Sequence, residues 1–508
     1  MAAARSLLGD LPAISSYLGR GHNTLITYFN DTVISLNAPL AQVFLKPLGA
    51  PTLLLADFNE ARRMLMRSTE FDRSPALKDL VLGLVPDHHI HLKTDAAWRA
   101  QRQQIQDLMK PSFLKDVAGP VIYQNIVVLM DAWVVKCGIA NGRPWSAGAD
   151  IRNAALDAMI GLAFGPESEH NATRSMLEVL NARQDKEDDD TNEQAESRDE
   201  PIDLLPEPLS YVLQAMLDLT ETVVDIHGSP IPYLKWAYVN RKPRIRKATR
   251  CKEQYITQQV QDAVTRMKQA TPEDASWIKS ATDQVVLGES RLADRDGRAP
   301  NYFSRVIFDE LFGIIFAGSG TTATTLCWLV KLLTDHADAQ RRLRDALQSS
   351  FQQANAENRD PTIQEIIGTR IPYLDATMEE VLRCACTSPF VDRQATVDTE
   401  LLGYRVPQGT VVLALLGGPS MMSPAFDVKE PPRRQAPKQR GQAKTFINAS
   451  SRIENKAWDP SNISNFLPER WLVPGGNDGD EQRFDPKLGP QLAFGLGPRA
   501  CFVPVGVI

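Results

Sequence analysis

The chain has 508 residues, of which 43% are apolar and 23% charged, as is typical of a soluble globular protein with a sizeable core. Its formal net charge of -6 argues against a general nucleic-acid-binding protein, because such a protein needs a basic face. The six cysteines are few and irregularly spaced, which favours a reducing compartment over a disulfide framework.

The first residues carry no targeting segment that can be recognised. Gly9-Asp10 interrupts the first apolar run, which is too short for a signal peptide. Further along, no segment is a continuous apolar run of the ~18 residues that a membrane-spanning helix needs. Residues 1–50 are therefore predicted to be an N-terminal segment without a clear membrane anchor.

The predicted elements are mainly α with a minor β part. Residues 51–57 are expected to form a short buried strand, followed by an amphipathic helix in "FNEARRMLMRS". Strand signals return at 399–416, where two turn dipeptides separate apolar runs as in a hairpin or meander. Helical spacing recurs at 95–110, 118–137, 150–164, 171–183, 209–226, 244–269, 301–334, 336–352, 363–368 and 373–386.

Two stretches are predicted to be solvated surface insertions. Residues 184–200 are acidic and have no apolar anchors, whereas residues 429–444 are proline-rich and basic. The basic insertion has the charge to contact an acidic partner or a membrane surface.

The C-terminal stretch "LAFGLGPRACF" places a cysteine in the frame F-x-x-G-x-R-x-C, formed by Phe494, Gly497, Arg499 and Cys501. A thiolate ligand to iron needs a loop that approaches a flat macrocycle closely, and a glycine removes the side chain that would collide. An arginine near the cysteine can pair with a carboxylate at the macrocycle edge. Taken alone, the frame also fits a turn that happens to contain a buried cysteine.

A long apolar helix at 312–330 contains the run Ala317-Gly318-Ser319-Gly320-Thr321-Thr322. Glycine is unfavourable inside a helix, so the run indicates that something approaches the helix closely. A threonine hydroxyl turned to its own i-4 carbonyl can open a local groove for water or a ligand. A tightly packed helix crossing is the alternative explanation.

Two charged motifs lie on other predicted helices. Glu380 and Arg383 share one helix face, where they form either an ordinary surface pair or, with Arg470 of "FLPERW", a buried ionic network. Trp98 and Arg102 also share a face, and their polar tips can bind one anion. An amphipathic helix edge explains the second pair equally well.

Two other motifs raise the possibility of a metal site. "HHIH" at 88–91 and the C-x-C of Cys384 and Cys386 contain suitable ligand types. The C-x-C spacing is shorter than that of the usual zinc knuckle. A buried thiol pair and a solvated loop are therefore the favoured interpretation.

The order and spacing of these motifs resemble the cytochrome P-450 family of haem-thiolate monooxygenases, and fungal members in particular. The resemblance covers about residues 50 to 502. It rests on W-R-x-x-R (98–102), A-G-x-x-T-T (317–322), E-x-x-R (380–383), P-E-R-W (468–471) and F-x-x-G-x-R-x-C (494–501).

The resemblance implies the cytochrome P-450 fold, a single large domain over residues 51–502 with haem b (iron protoporphyrin IX) between a distal long helix and a proximal cysteine loop. It implies that Cys501 is the thiolate ligand of the iron, in a loop shaped by Phe494 and Gly497. It also implies that Thr321, preceded by Gly320, delivers protons. The residues implied to hold the haem propionates are Trp98, Arg102, Arg393 and Arg499. The residues implied to form a buried structural triad are Glu380, Arg383 and Arg470.

The implied reaction inserts one oxygen atom from O2 into a lipophilic small molecule, in secondary metabolism. Electrons come from NADPH through a separate reductase. The resemblance implies a monomer at the cytosolic face of the endoplasmic reticulum or in the cytoplasm, with peripheral membrane contact through the basic insertion and no nucleic-acid partner.

Three departures from the family pattern keep alternatives open. Gly320 stands where the family usually has an acidic residue, and Val503 stands where it usually has a glycine. The chain also stops at Ile508, before the helix that follows the cysteine in the family, so residues 503–508 are an atypical tail. The sequence is therefore expected to be shortened at its C-terminus, and either shortened or soluble at its N-terminus. A haem-thiolate isomerase or dehydratase that needs no reductase, and a truncated non-catalytic family member, remain alternatives.

Overall fold

A computed structural model describes residues 6–21, 24–187, 199–202, 204, 209–226, 229, 231–271, 274–428, 457–475 and 482–501. The chain forms two compact units, each assembled from separated segments. Among the described residues, the first unit comprises those within 6–74, 331–359 and 369–501, and the second comprises those within 75–330 and 360–368.

The elements are numbered in chain order. The helices are α1 (Leu11–Leu18), α2 (Leu25–Ser35), α3 (Phe58–Met66), α4 (Pro75–Val81), α5 (Ala96–Ile105), α6 (Pro111–Phe113), α7 (Gly119–Ala140), α8 (Ala147–Phe164), α9 (Ala172–Glu187), α10 (Tyr211–Ile226), α11 (Pro232–Val239), α12 (Pro243–Gln269), α13 (Ala281–Asp296), α14 (Arg305–Asp335), α15 (Ala337–Ser350), α16 (Gln352–Ala356), α17 (Ile363–Gly368) and α18 (Pro372–Ala385). The strands are β1 (Leu40–Val43), β2 (Thr52–Leu55), β3 (Phe71–Asp72), β4 (Phe390–Ala395), β5 (Thr399–Leu401), β6 (Tyr404–Val406), β7 (Val411–Leu415), β8 (Leu472–Pro474) and β9 (Gln482–Phe484).

The first unit is built on a five-stranded sheet with the strand order β1-β2-β7-β4-β3. The neighbouring strands β2 and β7 are parallel, with Leu54 opposite Leu413, and the other neighbours are antiparallel. Leu54 and Leu55 at its centre are fully buried, as expected for strands covered on both faces. The predicted strand at 51–57 is confirmed.

The predicted meander at 399–416 is correct only in its first half. β5 and β6 form a hairpin whose turn residues, Leu402 and Gly403, have φ angles of 50° and 79°. β7 leaves this hairpin and pairs with β2 and β4 in the main sheet. β2 and β7 are far apart in the sequence, so a local pattern of apolar residues cannot predict that they pair.

The second unit is helical. α7 packs against α8 and α9, and α12 packs against α10 and α13. The helices predicted from apolar spacing are confirmed with shifts at their ends, but α4, α11 and α13 were missed. The longest of these three is α13. Its sequence contains many charged residues, although it buries Val285 and Val286. The Ser280 hydroxyl caps it by accepting the Asp283 N–H at 3.1 Å.

Two described helical stretches reach the length and hydropathy of a membrane span. They are Pro111–Ala140 and Arg305–Asp335, and 28% and 17% of their most apolar windows are buried. Neither is an uninterrupted apolar run, and long core helices of soluble proteins have the same composition.

The predicted insertions lie largely outside the described residues. α9 continues to Glu187, so the first part of the acidic stretch 184–200 is helical and not a loop. Residues 188–198, the basic insertion at 429–444 and the tail at 503–508 lie outside the described parts of the chain.

Candidate functional site

The cysteine frame forms an ordered turn that exposes its thiol. Gly495 and Gly497 have φ angles of 67° and 75°, which favour glycine. The Cys501 N–H donates to the Phe494 carbonyl oxygen at 2.7 Å, and this bond closes the loop. The Cys501 side chain is exposed, whereas Phe494 is half-buried. The loop therefore presents a sulfur atom that an external group can reach.

Gly497 is required by the packing of the first unit itself. A Cβ atom at this position would lie 2.5 Å from the carbonyl oxygen of Leu65, at the end of α3. The backbone of Gly497 has the positive φ angle that was expected. Its close contact with the Leu65 carbonyl group is enough to explain the glycine, without the approach of a macrocycle.

Arg393 and Arg499 belong to a buried ionic cluster that sequence reasoning found only in part. The cluster also contains Arg73, Asp72 and Asp392. Arg499 Nη2 lies 3.6 Å from Asp72 Oδ1, and Arg73 Nη1 lies 4.0 Å from Asp392 Oδ1. These five residues contribute three guanidinium groups and two carboxylates. β3 and β4 bring most of them together by antiparallel pairing.

Some guanidinium nitrogen atoms of this cluster have no hydrogen-bond partner among the described residues. Arg393 Nη1 donates to the Asp392 carbonyl oxygen at 2.8 Å, but Arg393 Nη2 and Arg73 Nε are buried without an acceptor. Burial, together with repulsion from Arg73, lowers the pKa of Arg393 to about 10. Because an unpaired buried cation is costly, the cluster is suited to bind an anionic group.

Trp98 and Arg102 lie on α5 in the second unit. Asp95 caps this helix by accepting the Trp98 N–H at 3.0 Å. The Arg102 guanidinium lies over the Trp98 ring, 5.8 Å from its centroid. The predicted shared face is therefore present, as a cation–π contact.

Glu380 and Arg383 form a fully buried pair, not the ordinary surface pair that the motif suggests by itself. Arg383 Nε and Nη2 donate to the two Glu380 oxygens at 2.8 and 2.7 Å. Arg470 Nε donates to Glu380 Oε1 at 3.0 Å, so the three side chains meet as the resemblance implies. The Leu467 N–H and the Trp471 indole N–H also donate to the Glu380 carboxylate, at 2.8 and 2.9 Å.

Two tryptophans that sequence reasoning missed support this network. The Trp458 and Trp471 rings pack edge to face with centroids 4.7 Å apart, and Arg470 lies over the Trp458 ring at 5.1 Å. The tryptophan directly after P-E-R could have indicated this contact, because the N–H group of a buried indole needs a hydrogen-bond acceptor such as Glu380.

Several hydroxyl groups on α14 bond back to carbonyl groups of their own helix. Thr321 Oγ1 donates to Ala317 O at 2.7 Å, and Thr324 Oγ1 donates to Gly320 O at 2.9 Å. Ala317, Gly320, Thr321 and Thr324 are all exposed and follow helical spacing. They form a face of small residues within the described part of α14.

The two glycines of this run have different structural roles. A Cβ atom on Gly318 would lie 2.4 Å from Met159 Sδ on α8, which is the tight helix crossing considered as the alternative explanation. A Cβ atom on Gly320 would meet no described atom within 4 Å. Packing therefore explains Gly318, and the face at Gly320 and Thr321 stays open to a ligand.

The sequence predicted a solvated loop for "HHIH", and this prediction is wrong: the histidines are half-buried, and His88 and His89 contact α14. His89 Nδ1 lies 2.7 Å from Glu310 Oε2, and the His89 N–H donates to Glu310 Oε1 at 2.8 Å. His88 Nε2 lies 3.3 Å from Glu310 Oε2. Because His88 Nδ1 accepts the Ile90 N–H at 3.0 Å, the ring proton is on Nε2 and points to the carboxylate. In this conformation the three side chains form a hydrogen-bonded clamp, which explains their arrangement without a metal ion.

The two C-x-C cysteines are half-buried, whereas the favoured interpretation was a buried pair. Burial raises the pKa of Cys384 to about 12 and that of Cys386 to about 11. Both therefore stay protonated near neutral pH, a form that does not bind metal ions well.

We predict that Glu380→Gln lowers the free energy of unfolding by about 3–5 kcal/mol, because it leaves the Arg383 and Arg470 cations buried without a counter-ion. Equilibrium denaturation of the purified chain measures this loss. Glu379→Gln, the same substitution one residue earlier, is the matched control and stays as stable as the parent near pH 5. Equal stability of Glu380→Gln and the parent would contradict the network.

The neighbouring Glu379 gives a second prediction: replacing it by glutamine raises the free energy of unfolding at high pH, whereas Glu380→Gln lowers it. Burial raises the pKa of its carboxyl group to about 7, against a hydrogen bond from Gln491, and repulsion from Glu380 raises it further. The folded chain thus holds a proton that the unfolded chain, with an ordinary pKa of 4.5, has released. This contribution to stability is fully present below the unfolded pKa and is lost as the pH rises through 7.

We therefore expect Glu379→Gln to remove this pH-dependent loss and to exceed the parent in stability by up to about 3 kcal/mol near pH 8. Denaturation curves of both proteins near pH 5 and pH 8 test it. A parent whose stability is equal at the two pH values, or a variant that loses as much as the parent, would refute the assignment.

Comparison with known proteins identifies relatives across nearly the whole chain. A family model described as cytochrome P-450 matches residues 40–426. Cytochrome P-450 monooxygenase TRI13 of Fusarium sporotrichioides is 38% identical over 98% of this chain and 85% of its own length. Cytochrome P-450 monooxygenase xilC of Penicillium rubens is 34% identical over 92% of this chain and 76% of its own length. Both organisms are fungi, consistent with the resemblance noted in the sequence.

Solved structures support the same fold. Two zebra fish cytochrome P-450 structures, one with abiraterone and one with progesterone, give TM-scores of 0.56 and 0.59 at 17% and 18% identity. They cover 94% and 95% of this chain, and the matches span 87% and 88% of the zebra fish chains. The prediction of a mainly helical cytochrome P-450 fold is confirmed. Because the family model alone matches more than half of the residues, the chain belongs to the cytochrome P-450 family.

Proposed function

We propose that Cys501 is the thiolate ligand of haem b in this chain, and that the protein is a monooxygenase of lipophilic small molecules. Members of the family carry haem b and receive electrons from a redox partner. The observation that supports the proposal most is the exposed thiol of Cys501. It lies two residues after Arg499, which belongs to the buried ionic cluster that is suited to bind an anion.

The residues present fit the cofactor on two chemical grounds. Haem b bears two propionate carboxylates, and the unsatisfied Arg393 Nη2 and Arg73 Nε are donors for such groups. Arg499 supplies a further guanidinium group in the same unit. A role for Trp98 and Arg102 at the propionates rests on the sequence resemblance alone. Haem supplies the activation of O2 from which one oxygen atom is inserted into a C–H or C=C bond.

The loop fixes the cysteine before any ligand binds. The bond from the Cys501 N–H to the Phe494 carbonyl group and the left-handed glycines hold the sulfur at the end of a rigid turn. Phe494 is proposed to shield the sulfur from water once the cofactor is bound. Reduced access of water favours a stable thiolate–metal bond because it lowers competition by solvent.

Thr321 is proposed to hold and pass protons on the open face of α14. Its hydroxyl donates to Ala317 O, so the lone pairs of Oγ1 can accept hydrogen bonds from water or substrate, and the hydroxyl can position a proton donor on this face. Gly320 provides no carboxylate beside it. Proton delivery then depends on Thr321 together with water and substrate.

The remaining features of the function are proposed from the relatives. We propose an apolar substrate of secondary metabolism, an NADPH-dependent reductase as electron donor, and a monomer at the cytosolic face of the endoplasmic reticulum. The support is the similarity to fungal monooxygenases over almost all of the chain.

A second candidate function is favoured by the missing acid at position 320. A haem-thiolate isomerase or dehydratase needs no electrons, and therefore less machinery for delivering protons to oxygen. Turnover that proceeds without NADPH and reductase would assign this class, whereas strict dependence on both assigns a monooxygenase.

We predict that the reduced, CO-treated protein shows the Soret band of thiolate-ligated haem and that Cys501→Ala loses it, because alanine offers no ligand to iron. The measurement is a difference spectrum of the purified chain. Cys137→Ala, at an exposed thiol on α7, is the matched control and keeps the band. Identical spectra of the parent and Cys501→Ala, or a parent that takes up no haem, would refute the proposal and favour a non-catalytic chain.

A further inference from the structure

The second unit contains a cavity of about 290 Å³ among α10, α11, α12 and the chain at residues 83–84. This size is near the lower end of small-ligand pockets. Its lining divides into an apolar wall and a basic wall, and no part of the proposed chemistry uses it.

Three side chains make the apolar wall: Leu84, Leu219 and Trp236. All three are buried, and the Trp236 indole N–H donates to the Asp79 carbonyl oxygen at 3.0 Å. A Cβ atom on Gly83 would lie 2.2 Å from the Trp236 ring, so only glycine allows the ring to take this position. The wall is therefore a fixed apolar surface.

The basic wall has a buried floor. Lys252 is 2% exposed, pairs with Glu253 at 3.0 Å, and lies 4.8 Å from the centroid of the Phe312 ring. Arg305 pairs with Glu253 at 2.8 Å and with Asp309 at 3.1 Å. These two cations are thus balanced by two carboxylates.

Two further cations of the basic wall are not balanced. Arg246 and Arg250 stand one turn apart on α12 and are exposed, and their guanidinium groups form no hydrogen bond or ion pair with the described residues. Other arginines of the same helix do have partners, since Arg244 binds Asp218 at 2.6 Å and Arg266 binds Asp283 at 2.6 Å. The cavity therefore carries two unmatched positive charges at its edge.

We propose that this cavity binds the carboxylate group of a lipophilic acid. The carboxylate is held by Arg246 and Arg250, and the hydrocarbon part packs against Leu84, Leu219 and Trp236. Arginine pairs with carboxylates in a bidentate geometry, and the fixed apolar wall favours a hydrocarbon over a small hydrated anion. The inference goes beyond the proposed function, which requires no acidic group on any ligand.

Octanoate, octan-1-ol and inorganic phosphate are the three probes, and isothermal titration calorimetry of the full chain is the measurement. We expect octanoate to bind at least about tenfold more tightly than octan-1-ol, because a hydrogen bond between two charged groups is stronger than one to a neutral hydroxyl group. Raised salt should weaken octanoate binding. Phosphate should bind more weakly than octanoate, because it gains nothing from the apolar wall.

The variant Arg246→Gln with Arg250→Gln should weaken octanoate binding about tenfold or more and leave octan-1-ol unchanged. Both positions are exposed, so the fold should be retained. Lys247→Gln, an exposed neighbour on α12 that does not line the cavity, is the matched control and should bind as the parent does. Replacing both arginines by lysine should restore most of the affinity, because the charges are kept.

Equal affinity for octanoate and octan-1-ol, no binding of octanoate, phosphate binding as tight as octanoate binding, or an unchanged double-glutamine variant would each overturn the proposal. None of these results involves haem or turnover. Failure of this inference therefore leaves the spectral test of Cys501 untouched.

Discussion

The buried carboxylate of Glu380 is the constraint on which the first unit depends. It accepts five hydrogen bonds, from Arg383 twice, Arg470, Trp471 and the Leu467 N–H. Arg383 also donates to the carbonyl oxygens of Met421, Ile463 and Asn465. The Glu380–Arg383 pair thereby joins α18 to chain segments 38 to 91 residues away in the sequence. A buried ionic network adds little net stability, because burying its charges costs desolvation energy. It does favour one arrangement of the chain, because any arrangement that separates a buried charge from its partner is strongly destabilised.

The same helix also anchors the start of the cysteine loop. Gln491 Nε2 donates to the Glu379 carbonyl oxygen at 3.3 Å, while Gln491 Oε1 accepts the N–H groups of Leu492 and Ala493 at 2.9 and 3.0 Å. The loop then turns at its left-handed glycines and closes at Cys501. Consecutive glutamates on α18 thus serve the two structures that the proposed chemistry needs, the ionic network and the thiolate loop. Their different surroundings explain why one carboxyl group is satisfied by five donors and the other has its pKa raised by burial.

Sequence patterns predicted elements with strong apolar periodicity and motifs with fixed short spacing. The long helix α14, the strand β2 and the triad of Glu380, Arg383 and Arg470 were all accessible in this way. The partners Asp72, Arg73 and Asp392 were not, because they meet through the pairing of β3 with β4 across more than 300 residues. α13 was missed because its sequence is highly charged and its buried residues include the carboxylates of Asp283 and Glu289, which weakens the apolar periodicity. The clamp of His88 and His89 on Glu310 was missed for a related reason, since a local histidine run gives no sign of the helix it contacts.

The central claim is that the buried cluster of Arg73, Arg393 and Arg499 selects the carboxylates of the cofactor. The most direct test compares the affinity of the haem-free chain for haem b and for haem b dimethyl ester, whose propionates carry no charge. The account predicts that haem b binds at least about tenfold more tightly, and that Arg393→Met removes most of this difference. Equal affinity of the parent for the two compounds would contradict it.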